Sequence, residues 1–97
     1  MLNQSQIMQF LSSHKEFMRN EFGVREIALF GSYATNKQSE ESDIDLIVDL
    51  TELDFMKWSG LLNYLKSNLY PRIDLITLGK HNSNHFLEIV KKEALYA

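Results

Sequence analysis

Phe30-Gly31-Ser32-Tyr33-Ala34-Thr35-Asn36-Lys37-Gln38-Ser39-Glu40-Glu41-Ser42-Asp43-Ile44-Asp45-Leu46-Ile47-Val48-Asp49 decides how the rest of the chain is read. It begins where the apolar run Ile27–Phe30 meets Gly31-Ser32, and it ends with Asp43-Ile44-Asp45 running into Leu46-Ile47-Val48. Side chains alternate faces along a strand, so Asp43 and Asp45 project from the same face. Two neighbouring carboxylates repel, and a divalent cation between them removes that cost. An oxygen-only, carboxylate-rich donor set suits magnesium, which also binds substrate phosphates. Gly31 permits close approach of backbone to a ligand, and Ser32 offers a hydroxyl and an N–H at a strand-to-helix turn, a seat for phosphate. A phosphate seat beside a metal seat points to phosphoryl or nucleotidyl transfer.

Outward from this stretch, the chain alternates helical and extended patterns. Asn3 is placed to cap a first helix, with Gln6 completing a capping box, and Ile7, Phe10, Leu11, Phe17 and Met18 share one face. Gly23 marks its end. His14 falls on the apolar side, where a half-buried packing role is expected. Val24–Phe30 reads as a strand covered on both faces, Ser32 to about Asn36 as a short helical turn, Lys37–Ser42 as a polar loop, and Asp43–Leu50 as a second strand. Phe55, Trp58, Leu62, Leu65 and Leu69 recur at helical spacing, giving an amphipathic helix over about Leu53–Leu69 capped by Thr51 or Asp54. Tyr70-Pro71 stops it. Arg72–Leu78 is a third strand carrying Asp74, and Ser83–Tyr96 a last helix with Phe86, Ile89, Val90 and Ala94 inward. His81 and His85 are expected at the surface. The helical crossover between the second and third strands makes them parallel. Asp74 then comes near Asp43 and Asp45, and the pair of carboxylates becomes a triad.

Ninety-seven residues (1–97) make one domain, with room for one core. Hydrophobic content of 44% against 24% charged residues describes an ordinary soluble domain. The absence of cysteine removes disulfides, thiolate metal sites and cysteine nucleophiles. A net charge of −3 argues against direct nucleic-acid binding. No apolar run approaches the ~18 residues of a membrane-spanning helix, and no signal-peptide pattern opens the chain, so a cytoplasmic address is expected.

Taken singly, each feature has a plainer reading. Gly31 can end a strand, Ser32 can cap a turn, Asp43 can solubilise a strand start, and Asp74 can pair with Arg72. Asp45, followed by Leu-Ile-Val, is harder to explain so, because acidic residues are depleted in strands.

Gly31-Ser32, ten intervening residues, Asp43-x-Asp45 and the later Ile73-Asp74-Leu75 together resemble the DNA polymerase β-like nucleotidyltransferase superfamily. The short chain is similar to its minimal members, the antitoxin halves of HEPN-toxin pairs. The resemblance implies an α/β (α+β) fold, a mixed sheet of about three main strands flanked by helices. It implies that Asp43 and Asp45 bind two Mg2+ ions, that Gly31 and Ser32 hold the triphosphate of ATP, and that Asp74 is the third catalytic and metal-binding carboxylate. It further implies transfer of AMP to a hydroxyl of a partner protein, a HEPN-domain toxin, in a hetero-oligomer. The alternatives are a weak or inactive module that inhibits its toxin by occlusion, and an enzyme acting on a small molecule such as an antibiotic. One departure stands out. Minimal members often carry Arg-Gly where this chain has Thr35-Asn36; Asn36 can keep the left-handed turn, but Thr35 brings no guanidinium, leaving Lys37 or Lys80 to compensate.

Overall fold

In the computed structural model, which describes residues 2–97, two capped helices brace one face of a mixed sheet. Helix α1 (Gln4–Phe22) starts with the expected capping box, in which the Asn3 side chain accepts from the Gln6 N–H and the Gln6 side chain accepts from the Asn3 N–H. It ends at Gly23, whose left-handed φ of 71° lets its N–H reach the Arg19 carbonyl. Strand β1 (Val24–Phe30) leads through the single turn α2 (Gly31–Ala34) and a polar connection to β2 (Ile44–Leu50). Helix α3 (Phe55–Asn68), capped by Asp54, crosses over to β3 (Ile73–Thr77). Helix α4 (Asn84–Glu93), capped by Ser83, is followed by β4 (Leu95–Tyr96).

The sheet order is β3-β2-β1-β4. The crossover through α3 makes β2 and β3 parallel, as its length requires, while β1 runs antiparallel to both β2 and β4. Alternation along the strands divides the residues between two faces. Ile27 and Leu29 of β1, Ile44, Leu46 and Val48 of β2, and Ile73 and Leu75 of β3 join one buried cluster with Ile7, Leu11 and Met18 of α1 and Leu61 and Leu65 of α3. Asp45 and Asp74 therefore lie on the other face. Phe30, also on that face, meets Phe86 of α4 edge to face at 6.0 Å.

Two expectations for the termini of helices fail. The last helix stops at Glu93 rather than Tyr96, and Ala94 is its C-cap, not an inward position. Leu95 and Tyr96 instead pair with Leu29 and Ala28, because the free edge of β1 has unpaired backbone groups for them to meet. Phe55, read as part of the inward stripe, is 73% exposed: as the first residue of α3 it lies beyond the sheet that covers Leu61 and Leu65. His14 packs as expected, half-buried, stacked on Phe10 at 4.0 Å and with Nδ1 2.8 Å from the Phe10 carbonyl oxygen. His81 and His85 are exposed.

Candidate active site

Asp45, the second residue of β2, sits in a ladder that fixes its neighbours. Across β1 it is opposite Phe30, the residue before Gly31; across β3 it is opposite Asp74. The parallel register thus sets two carboxylates side by side on the open face. Asp43, expected as the first residue of the strand, instead lies just before β2, so strand alternation does not fix its direction, and it brings a third acid to the same strand end. Asp45 is half-buried, while Asp43 and Asp74 are exposed. Burial is the main cause that raises the Asp45 carboxyl above its ordinary pKa of 3.8; the charges of Asp74 and then Asp43 push it further the same way.

Gly31 is the counterpart of this carboxylate. Its φ is +70°, a conformation that L side chains rarely adopt. A Cβ built there would overlap Asp45 Oδ2 and stand 3.2 Å from its Cγ. The glycine both makes the turn and leaves the space over the carboxylate free. No side chain caps α2 at Phe30, so the first N–H groups of the turn have no partner within the helix. Asn36 takes the left-handed φ of 57° that the sequence suggested, and the turn survives without the usual glycine. Thr35 turns its hydroxyl back toward the Gly31 and Ser32 carbonyls, at 3.4 and 3.3 Å.

The two lysines considered as substitutes for the missing arginine separate cleanly. Lys37 lines a cavity of about 230 Å³ with Phe30, Gly31, Thr35 and Glu93. Lys80 follows β3 at the opposite end of the sheet and lines a different surface with Asp49, Leu78, Gly79 and Leu87. Only Lys37 is beside the turn.

Asp45 and Asp74 share a face, and Asp45 feels the charges of Asp74 and Asp43, but among the described residues no three carboxylate or imidazole side chains close around a common point that would hold a metal. Asp43 is directed instead at Arg72, whose Nε is 3.8 Å from Asp43 Oδ1. The expected alternative pairing of Arg72 with Asp74 is replaced by this one, across the strand ends. The donor set nevertheless fits magnesium: all oxygen, anionic, with one member destabilised by its neighbours and with open space above it that only glycine preserves. Sequence reasoning missed what Arg72 does. It also missed Glu93, which reaches the cavity only because α4 folds back across Phe30.

Two predictions follow from Asp45 and Gly31. Because the folded-state pKa of Asp45 is raised, its favourable contribution is complete below the ordinary carboxylate pKa and is lost as pH rises through the shifted one. In metal-free buffer, Asp45→Asn is therefore expected to melt above the wild type at pH 7, with the gap closing toward pH 4; urea melts at the two pH values measure it. Gly31→Ala adds both a left-handed strain and an overlap with Asp45. It should destabilise by about 1–3 kcal/mol, read by urea denaturation.

Residues 12–97 match the family described as Polymerase beta, Nucleotidyltransferase. The protein adenylyltransferase MntA of Thermococcus cleftensis is 37% identical over 97 residues, covering 99% of this chain and 97% of that protein. Among solved structures, one chain of a toxin–antitoxin complex with AMP-PNP superposes with a TM-score of 0.68 at 29% identity, covering 98% of this chain and 72% of that one. A chain from the complex of tri-AMPylated Shewanella oneidensis HEPN toxin with MNT antitoxin gives 0.57 at 26% identity, covering 97% and 67%. The fold, the paired carboxylates under a glycine turn and these likenesses agree, and the chain belongs to the polymerase β nucleotidyltransferase family.

Proposed function

We propose that this protein transfers AMP from ATP to a hydroxyl of a HEPN-domain partner, with magnesium, in the cytoplasm. The observation that supports this most is the register that sets Asp45 between Asp74 and the residue before Gly31. It brings an anionic pair and the cavity beside the Gly31 turn to one end of the sheet. The relatives whose names speak of protein adenylyl transfer and of an AMPylated HEPN toxin supply the substrate class.

In this reading the Gly31-Ser32 turn binds the triphosphate through backbone N–H groups and the Ser32 hydroxyl, and Lys37 adds a cation from the loop side. Asp43, Asp45 and Asp74 would hold Mg2+, and the ion would supply charge neutralisation to the displacement. Asp74, exposed at the rim, faces the incoming acceptor and takes the proton of its hydroxyl. The acceptor oxygen forms a bond to the α-phosphorus, the bond from that phosphorus to the bridging oxygen breaks, and pyrophosphate leaves. The site needs positioning and charge compensation rather than a covalent nucleophile. The acidic run from Glu40 to Asp54, which contains no Lys or Arg, complements a basic partner surface.

Thr35 favours a second reading. With no guanidinium in the turn, the protein would bind its partner and silence it by occlusion.

Incubation of the co-purified pair with ATP and Mg2+, followed by intact mass spectrometry and a nuclease assay, separates these readings. Adenylyl transfer predicts a partner heavier by one or more AMP groups and permanently inactive, and no mass change with the Asp43→Asn/Asp45→Asn double variant. A partner of unchanged mass, inhibited only while bound, supports occlusion and overturns transfer.

A further inference from the structure

The connection from Lys37 to Asp43 carries the first carboxylate of the site, yet nothing apolar anchors it. Its residues are Lys, Gln, Ser, Glu, Glu, Ser and Asp, all exposed except the half-buried Gln38 and Ser42. Within the connection itself, the bonds are those of one serine turn: Ser42 N–H to the Ser39 carbonyl at 3.1 Å and Ser39 N–H to Ser42 Oγ at 3.0 Å, with Glu41 N–H to Ser39 Oγ at 3.4 Å. At its start the Lys37 N–H donates to the Ser32 carbonyl at 2.9 Å; toward Asp43 the grip comes from Arg72. Its Nη2 donates to the Glu40 carbonyl at 2.5 Å, to the Ser42 carbonyl at 3.3 Å and to the Tyr70 hydroxyl at 3.1 Å. Its Nε faces Asp43 at 3.8 Å, and its own carbonyl accepts from the Ile44 N–H at 3.0 Å. Main chain and side chain of one residue thus grip the connection on both sides of Asp43.

We propose that Arg72 is a positioning residue of the site: it staples the 37–43 connection to the entrance of β3 and so determines where Asp43 presents its carboxylate. The inference rests on the reading of Asp43 as a metal ligand only for its functional consequence; the grip itself is independent of that reading. The fork matters as much as the charge. Nη2 meets the two carbonyls and the hydroxyl with its shared N–H groups while Nε, held in the same plane, faces Asp43; a lysine ammonium is a single point and cannot occupy both places. Arg72 also offsets the mutual repulsion of the acids without occupying the face where Asp45 and Asp74 meet.

Two readouts made without any partner test this. Endoproteinase Glu-C cuts after Glu40 and Glu41, so its rate there reports how firmly the connection is held. Manganese binding in the presence of ATP, followed by the EPR signal of free Mn2+, reports whether Asp43 is delivered. Arg72→Ala and Arg72→Lys are both expected to speed cleavage and to weaken manganese binding about 10- to 100-fold, the usual penalty for losing a group that orients a ligand. Tyr70→Phe, which leaves both carbonyl bonds, should stay close to wild type in both assays. Thermal melts that remain cooperative show that the variants are folded, as expected for an exposed side chain. Wild-type cleavage and wild-type manganese binding in Arg72→Ala would overturn the proposal. A fully wild-type Arg72→Lys beside a defective Arg72→Ala would also overturn it, in favour of simple charge compensation. If the wild-type protein binds no manganese at all, the metal reading of the site falls, and the cleavage rates still decide whether Arg72 holds the connection.

Discussion

The half-buried carboxylate of Asp45 is the constraint to which the rest of this structure answers. It is held on an inner strand, directly opposite a second acid and two residues from a third, where burial and like charge both oppose its ionisation. Relieving it by distance is impossible, because the parallel register of β2 and β3 fixes Asp45 against Asp74. Relieving it by a covering side chain is blocked by Gly31, which keeps the space over Oδ2 open at the expense of a left-handed backbone. A cluster so arranged is unfavourable alone and favourable around a cation.

The fold tolerates this because the opposite face is well packed. Ile44, Leu46 and Val48, which alternate with the acids along β2, are fully buried against α1 and α3. Each such side chain contributes about 1.5–3 kcal/mol on burial, so three of them outweigh a repulsion among partly solvated carboxylates, which water and salt screen. The helices on that face are themselves closed by side-chain caps at Asn3 and Asp54, each worth about 1 kcal/mol. Stability is concentrated on one side of the sheet and left unspent on the other. Because Arg72 enters from the strand end, it braces the polar connection without covering the open face.

Much of this was legible in the sequence wherever the deciding interactions are local. The bounds of β1, the capping box at Asn3 and the left-handed Asn36 all follow from residues within a few positions of one another, whereas the cap of α3 was narrowed to Thr51 or Asp54 and only the structure selects Asp54. The parallel pairing of β2 and β3, a long-range feature, was still readable because a helical crossover leaves little choice. What was not legible depends on distant partners. Leu95-Tyr96 looks helical until the edge of β1, some 67 residues earlier, is available to pair with it. Phe55 satisfies the helical period but falls outside the area the sheet covers. Arg72 reads as a partner for the nearby Asp74, and only the folded chain turns it toward carbonyls 30 and 32 residues away. The roles of Lys37 and Lys80 likewise depended on which end of the sheet each occupies.

The most direct measurement of the central claim is the melting temperature of the wild-type protein as Mg2+ is titrated at neutral pH and constant ionic strength. If the carboxylates form a cation site, magnesium binds the folded state alone and the melting temperature climbs with concentration, by an amount that reaches about 2.7 kcal/mol of added stability at 100 times Kd. Sodium chloride at matched ionic strength should give only the smaller effect of screening. A magnesium curve that superimposes on the sodium curve would contradict the account, leaving the three acids as neighbours without a common ion.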